Sequence, residues 1–296
     1  MIANMSALKI LNHHWLPKLI LVALIAVALP GCVSRMFYYP DRVAYRTPES
    51  MGPGTREVFF ESLDGTRLHG WFTPASTQPA RGTVVQFHGN AQNLTAHSGF
   101  VDWLPAEGYN LFLFDYRGYG KSEGNPSRQG LFEDGVAALR LVRTFPEVDT
   151  NRIAIIGQSL GGTIALAVAG RHPELRGQAL IIDSAFYSYR QIVRDKIKEM
   201  PLLSILRIPL SYWLTNDDLS PHATIADIAP VPILFIHGTA DLVIPHQHTE
   251  MLHAAARDPK KIILIPGGHH LGALQDHHEE VIPQVLAFLG DESGIF

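Results

Sequence analysis

The sequence has little cysteine, little excess charge and no long apolar run, and each shortage excludes a class of protein. A single cysteine among 296 residues excludes an internal disulfide framework and a zinc cluster built from several thiolates. The net charge of −4 provides no electrostatic footprint for nucleic acid. The apolar run at residues 19–29 is shorter than the roughly 20 residues of a membrane-spanning helix. What is present, 46% hydrophobic and 9% aromatic residues, suffices for a large folded domain with a full core.

The first 31 residues have the features of a bacterial export signal. They contain no Asp or Glu, and their cations, Lys9 and Lys18, precede the apolar run. The run ends Leu-Pro-Gly-Cys, which resembles the lipobox of bacterial lipoproteins, where a lipid-modified cysteine follows the cleavage site. Because Cys32 stands at that place, we expect it to be lipidated and residues 32–55 to form a tether that packs partly on the domain. The alternative is a plain membrane anchor with an incidental cysteine.

Lipid modification of Cys32 predicts a location at the bacterial cell envelope. Each acyl methylene that enters a bilayer contributes about 0.8 kcal/mol, and several chains together anchor a protein stably. Val33 follows the cysteine. By resemblance to lipoprotein sorting in Gram-negative bacteria, the absence of Asp at this position favours the outer membrane, with the domain facing the periplasm.

Short apolar runs alternate with longer helical patterns over residues 56–292, which we expect to form one domain. The later runs are continuous, which is typical of strands buried on both faces, and the first two flank a turn at 63–66 and predict a hairpin. The alternation predicts a mostly parallel sheet with helices on both faces and functional groups at the carboxyl ends of its strands. The predicted strands are 57–61, 68–73, 83–87, 110–114, 153–156, 179–182, 232–236 and 262–265, and the predicted helices are 131–143, 162–170, 248–256 and 279–289.

Residues 185–230 form an unusually long connection between two predicted strands. Long insertions in a compact domain are often functional, and this one is rich in Leu, Ile and Pro. One interpretation is a short helical cap that supplies apolar walls above the carboxyl end of the sheet. The other is an ordinary helix packed on the sheet face, followed by a loop.

A Gly-x-Ser-x-Gly sequence, centred on Ser159, follows the predicted strand 153–156 and precedes a helical pattern. A sharp turn between strand and helix lifts the serine hydroxyl clear of the sheet, and larger residues at the glycine positions would clash with neighbouring backbone. The helix N-terminus adds a positive dipole and free N–H groups. The motif therefore predicts that Ser159 is a nucleophile.

An acid and a histidine follow Ser159 in the chain order that such a nucleophile requires. Asp241 comes after the predicted strand 232–236, and the pair His269 and His270 comes after the last predicted strand. The two glycines before His269 would let the loop turn its ring back toward the serine, so we predict His269 as the base, with His270 as the alternative. Asp241 has a second interpretation as a turn-former or helix cap.

Two backbone amides are candidates for an oxyanion hole, which needs preorganised N–H donors. One belongs to Leu160, directly after the nucleophile, and the other to Asn90, just past the predicted strand 83–87. The alternative for Asn90 is a polar turn that caps the next helix. His88 is expected to be a structural hydrogen-bonding residue beneath the hole.

These residues together resemble an α/β-hydrolase over roughly residues 56–289. The His-Gly-Asn-Ala sequence at 88–91 and the Asp-Tyr-Arg-Gly-Tyr-Gly-Lys-Ser-Glu-Gly sequence at 115–124 are similar to those of Bem46-like proteins and related depalmitoylases. The resemblance implies an eight-stranded sheet, a Ser–His–Asp triad that maps onto Ser159, His269 and Asp241, and no cofactor. Family members act on esters, thioesters, lipids and occasionally peptides.

The sequence thus predicts a serine hydrolase that cleaves carboxylic esters or thioesters, with small acyl esters or lipids as substrates. A serine peptidase of the same fold and a non-catalytic envelope lipoprotein are the alternatives. A serine at the turn argues against the dehalogenase and epoxide-hydrolase chemistry that the same fold performs with an aspartate. The histidines at 269, 270, 277 and 278 match no metal-ligand spacing, so we expect no metal. The oligomeric state is left open.

Overall fold

The computed structural model describes residues 38–290. The predicted signal and the lipidation site at Cys32 lie outside the described residues, so they stay predictions. Along the described part of the chain, the strands are β1 (Tyr39–Pro40), β2 (Arg56–Glu61), β3 (Arg67–Thr73), β4 (Gly82–Phe87), β5 (Ala91–Gln92), β6 (Tyr109–Asp115), β7 (Ile153–Gln158), β8 (Ala179–Asp183), β9 (Ile233–Gly238) and β10 (Lys260–Ile265).

Eight of these strands form one twisted layer in the order β10-β9-β8-β7-β4-β6-β3-β2. The strands from β10 to β6 run parallel to their neighbours, whereas β3 is antiparallel to both β6 and β2. All eight predicted strands are present within a few residues, and the first two form the predicted hairpin. The predicted mostly parallel sheet of eight strands is confirmed.

The burial of the strands explains why their sequence patterns differ. The inner strands β4, β6, β7, β8 and β9 are buried along their whole length, since helices cover both faces. The edge strand β2 alternates between exposed and partly buried residues. The helices are α1 (Leu94–His97), α2 (Arg128–Val142), α3 (Leu160–Arg171), α4 (Tyr189–Lys198), α5 (Arg207–Leu214), α6 (Gln247–Ala255) and α7 (His278–Gly290).

Two hydrophobic cores lie on the two sides of the sheet. On one side, α2 and α3 pack through residues such as Val136 and Ile164. On the other side, α7 packs through Val281 and Val285. All four predicted helices are present, and none of the helices between residues 38 and 290 is long and apolar enough to cross a membrane.

The connection between β8 and β9 contains a packed helix and an exposed one. Helix α4 buries Tyr189 and Ile192 against the first core, as an ordinary packed helix does. Helix α5 buries Ser211 but leaves most of its surface in solvent. The outer half of the insertion is therefore an exposed helical cap, held by an inner half that belongs to the core.

The described part of the predicted tether packs on the domain. β1 pairs in parallel with β5, so that Tyr39 lies opposite Ala91 and Pro40 opposite Gln92. Met51, in a short 3₁₀ helix, is buried in the second core. The chain between residue 38 and β2 is thus part of the folded unit.

Candidate active site

Ser159 occupies a strained turn between β7 and α3. Its φ of 53° and ψ of −119° lie in a region that side chains rarely adopt, and its own N–H donates to Asp183 O at 2.8 Å. A Cβ on Gly157 would lie 2.6 Å from Gly162 Cα, and a Cβ on Gly161 would collide with the carbonyl oxygens of the chain after β4. The glycines therefore allow the turn and bring α3 against its neighbours.

A chain of hydrogen bonds joins Ser159 to Asp241 through a histidine. His270 Nε2 lies 3.1 Å from Ser159 Oγ, and His270 Nδ1 lies 2.6 Å from Asp241 Oδ2. The side chain of His270 is about one-fifth exposed, whereas that of Asp241 is fully buried. The structure thus brings together a nucleophile, a base and an acid in the sequence of contacts that a serine hydrolase uses.

The histidine in this chain is His270, so the prediction of His269 was wrong. The turn after β10 passes close to β9, where Ala240 N donates to Gly268 O at 2.9 Å. Gly238 carries no Cβ, which would collide with the backbone at Gly268. In the turn that follows, His269 is exposed to solvent, whereas His270 faces Ser159.

Asp241 is held by four donors. Its Oδ1 accepts from the backbone N–H groups of Val243 at 2.7 Å and Ile244 at 2.9 Å. Its Oδ2 accepts from His270 and from His237 Nε2, which lies 3.0 Å away. Burial alone would raise the pKa of Asp241, but the hydrogen bonds from His237 and His270 lower it well below its ordinary value. The carboxylate is therefore ionised at neutral pH.

His237 was not among the predicted site residues, and its tautomer follows from its neighbours. Its Nε2 faces two acceptors, Asp241 Oδ2 and Ile244 O at 2.9 Å, so this nitrogen carries the proton. Its Nδ1 then accepts from Thr249 Oγ1 at 2.6 Å. The only signal in the sequence was the position of His237, four residues before Asp241 at the end of β9.

The predicted oxyanion donors lie in segments that follow adjacent strands. β4 and β7 are parallel neighbours, with Phe87 opposite Gly157, so Asn90 and Leu160 both come shortly after the same edge of the sheet. The backbone of the β4 end touches the start of α3 at Gly161. The two segments are therefore close enough for the N–H groups of Asn90 and Leu160 to serve one oxyanion hole. That catalytic role stays a prediction.

His88 lies beneath this loop, in a buried polar cluster. Its Nδ1 is 2.7 Å from Gly89 O, and its Nε2 is 3.5 Å from Asp115 Oδ1. Asp115 also accepts from Leu94 N at 2.7 Å, at the start of α1. Burial would raise the pKa of Asp115, but hydrogen bonds from His69 and His88 lower it. The cluster ties the ends of β3, β4 and β6 to the loop.

An open cavity of about 510 Å³ adjoins the cap. Its lining includes Tyr38 from the N-terminal segment, Arg128 from α2, and Tyr212 and Trp213 from α5. Among residues 38–290, no group of three or more His, Cys, Asp and Glu side chains is arranged to hold a metal ion.

The chain is similar to known proteins over most of its length. Residues 78–229 match the family model described as serine aminopeptidase, S33. The chain is 42% identical to the uncharacterized protein YfhR of Escherichia coli over 269 residues, with 89% of each chain covered. It is 27% identical to protein bem46 of Schizosaccharomyces pombe, with 81% of this chain and 80% of that protein covered.

A solved structure with the same fold is that of the Pyrococcus furiosus esterase Pf2001. The TM-score is 0.69 at 22% identity, with 86% of this chain and 97% of the esterase covered. The fold predicted from the sequence is confirmed by this likeness.

Proposed function

The chain belongs to the α/β-hydrolase family described as serine aminopeptidase, S33, and from that premise we propose that it is a serine hydrolase acting on carboxylic esters or thioesters. The observation that carries the proposal is the contact sequence from Ser159 Oγ through His270 to Asp241, with distances of 3.1 and 2.6 Å. All three members are present and within hydrogen-bond reach, which disfavours a non-catalytic binding protein.

The reaction follows from the tautomer that Asp241 imposes. The ionised carboxylate accepts a hydrogen bond from the N–H at His270 Nδ1, so Nε2 has a free lone pair and takes the proton of Ser159 Oγ as that oxygen attacks the carbonyl carbon. The imidazolium formed then protonates the leaving oxygen or sulfur, and the acyl group stays on Ser159. Water repeats the sequence and releases the acid.

The negative charge that develops on the carbonyl oxygen needs donors near Ser159. The N–H groups of Leu160 and Asn90 are the candidates, because their segments follow adjacent strands. Loss of one such donor costs about 3–4 kcal/mol of transition-state stabilisation in serine hydrolases. The N-terminus of α3 points its dipole at the same region.

The substrates we propose are acyl esters or lipids. The cap exposes the apolar side chains of Tyr212 and Trp213 beside a cavity that the triad does not line, and the fold neighbour Pf2001 is itself described as an esterase. If Cys32 is lipidated and the chain lies at the outer membrane, as its sequence predicts, substrates with an acyl chain are within reach.

A peptidase is the second candidate, because the matched family is described as aminopeptidases. Amides have poorer leaving groups than esters, and an aminopeptidase must also bind the free amine of its substrate. Activity toward amino-acyl arylamides would identify this candidate.

The test is a panel of p-nitrophenyl acyl esters, acyl thioesters and amino-acyl arylamides given to the full chain. We expect turnover of the first two classes and a loss of several orders of magnitude in Ser159→Ala. Turnover of arylamides alone would instead favour the peptidase. A Ser159→Ala variant that retains more than about a tenth of the esterase activity would refute the proposed nucleophile.

A further inference from the structure

The cap carries a concentration of exposed apolar side chains that the catalytic site does not use. Ten of the fifteen large hydrophobic residues exposed in the described chain lie between residues 200 and 213 or directly after Asp241. Leu202 and Ile205 are 92% and 84% exposed, and Leu242 is 85% exposed. We call this set the cap face; its members are Met200, Leu202, Leu203, Ile205, Leu206, Ile208, Tyr212, Trp213, Leu242 and Val243.

The cap face is held together by contacts at its base. Lys196 Nζ donates to Leu242 O at 3.2 Å and so joins α4 to the loop that carries Asp241. Arg194 Nε donates to Ser211 Oγ at 3.0 Å, and the guanidinium of Arg190 lies 4.4 Å from the centre of the Tyr212 ring. The apolar side chains therefore project from an anchored support.

Cations surround the cap face. Between residues 189 and 214 the sequence has five Lys and Arg side chains and two Asp and Glu. Lys198 is exposed just before the apolar stretch, and Arg207 is exposed within it. A surface that combines exposed Leu and Ile with exposed Lys and Arg matches the boundary between the acyl chains and the anionic headgroups of a bilayer.

The N-terminus of the described chain emerges at the same place. Tyr38 is buried, is hydrogen-bonded to Tyr189 and Arg128, and lines the cavity that Tyr212 and Trp213 also line. The predicted lipidation site, Cys32, lies six residues before Tyr38. The five intervening residues can span at most about 18 Å. Acyl chains on Cys32 would therefore hold a bilayer within reach of the cavity that Tyr38, Tyr212 and Trp213 line.

We propose that the cap face docks on the surface of a bilayer containing anionic phospholipid, with Leu202 and Ile205 inserted among the acyl chains. A second copy of the chain fits less well, because a two-fold interface would place the Lys and Arg side chains near the cap face of one copy against those of the other. The docking places the loop after Asp241 at the membrane surface. It does not depend on whether Ser159 is a nucleophile.

Photocrosslinking of the full chain tests the proposal. The chain is reconstituted in vesicles of phosphatidylethanolamine and phosphatidylglycerol that contain a diazirine-bearing phospholipid, and adducts are mapped by mass spectrometry. We expect lipid adducts at residues 200–213 and 242–243. Lipid adducts confined to the chain before Tyr38 would overturn the proposal. An absence of lipid adducts at residues 200–213 and 242–243, in chain that sediments with the vesicles, would also overturn it.

A matched pair of variants gives the second readout. Leu202→Ser/Ile205→Ser changes two side chains that are almost fully exposed, whereas Leu63→Ser changes a half-exposed residue in the turn between β2 and β3. We expect the double variant to lower the adduct yield at the cap by about tenfold and Leu63→Ser to leave it unchanged. Far-ultraviolet circular dichroism shows that each variant is folded. Equal yields in the double variant and the wild type would refute insertion of these residues.

Replacement of phosphatidylglycerol by phosphatidylcholine tests the attraction between anionic lipid and the Lys and Arg side chains near the cap face. The yield at residues 200–213 should fall by severalfold, because each Lys or Arg near an anionic surface contributes about 1 kcal/mol. An unchanged yield would contradict the part of the proposal that assigns anionic lipid.

Discussion

At the scale of single residues, the site is a line of buried hydrogen bonds that begins beyond the triad. Thr249 donates to His237, His237 donates to Asp241, and Asp241 accepts from His270, which faces Ser159. The partners of each histidine determine which of its ring nitrogens carries the proton. His237 and Thr249 are therefore positioning residues, since they act on the serine only through the carboxylate.

The two adjacent histidines give the first prediction. His270→Ala removes the group that lies between Ser159 and Asp241, so kcat/KM for an acyl ester should fall by about 10³ or more. His269→Ala is the matched control, because that side chain faces solvent, and its kcat/KM should stay near the wild-type value. A larger loss in His269→Ala than in His270→Ala would contradict the geometry.

Thr249→Val gives the second prediction. Valine has nearly the shape of threonine but leaves the buried His237 Nδ1 without a hydrogen-bond donor. We expect this loss to lower the free energy of unfolding by about 1–3 kcal/mol. We also expect a lower kcat, because His237 no longer holds Asp241 in one orientation, with little change in KM. Urea unfolding and ester kinetics measure both effects. The exposed Thr150→Val is the control, and equal behaviour of the two variants would refute the role of the hydroxyl.

At the scale of elements, the sheet could be predicted because its inner strands are continuous apolar runs bounded by turns. Helix α4 was predictable in principle, because Tyr189, Ile192, Val193 and Ile197 recur at helical spacing. The prediction treated these residues only as part of the long connection at 185–230. Helix α5 has Pro209 near its start and an exposed apolar surface, so its pattern does not indicate which side is buried.

Sequence patterns could not show which of His269 and His270 faces Ser159, for a different reason. The two residues sit in a loop with no periodicity, and the direction of each side chain depends on how the turn after β10 meets Gly238. That contact joins two strands that are separate in sequence. Ser159 and Asp241, in contrast, could be proposed because each follows a recognisable strand.

The third prediction concerns the N-terminal segment, which braces the loop after β4. The buried Asn93 donates through Nδ2 to Asp41 Oδ1 at 2.6 Å and to Val43 O at 2.8 Å, and its Oδ1 accepts from Thr95 N at 2.9 Å. Asn93→Ala releases residues 41–43 from the loop that carries Asn90. It should lower the free energy of unfolding by about 1–3 kcal/mol and also lower kcat.

Urea unfolding and ester hydrolysis measure these two effects of Asn93→Ala. Asn151→Ala, at an exposed position, is the control and should change neither quantity. A normal kcat in Asn93→Ala would show that the N-terminal segment does not position the loop.

At the scale of the whole molecule, the two cores hold the sheet and bury carboxylates that are ionised. Hydrogen bonds outweigh burial at both Asp241 and Asp115 and lower the pKa of each. A carboxyl whose pKa is lower in the folded than in the unfolded state stabilises the fold above its unfolded pKa of about 3.9. That stabilisation is lost as the pH falls toward the folded pKa.

The fourth prediction is therefore a loss of stability in acid. The free energy of unfolding, measured in urea from pH 7 to pH 3, should decrease below about pH 4–5. Asp241→Asn removes one of the two groups, so its stability should decline less steeply over the same range. Equal slopes for the variant and the wild type would contradict the assignment to Asp241.

Across these scales the central claim is that Ser159 is an activated nucleophile in an accessible site. Reaction of the full chain with a fluorophosphonate, followed by mass spectrometry of the peptides, tests it directly, with Ser159→Ala as the control. The account predicts a single adduct on Ser159, absent from the control and much slower to form in His270→Ala. Folded protein that forms no adduct on Ser159, in detergent and in lipid vesicles alike, would contradict it.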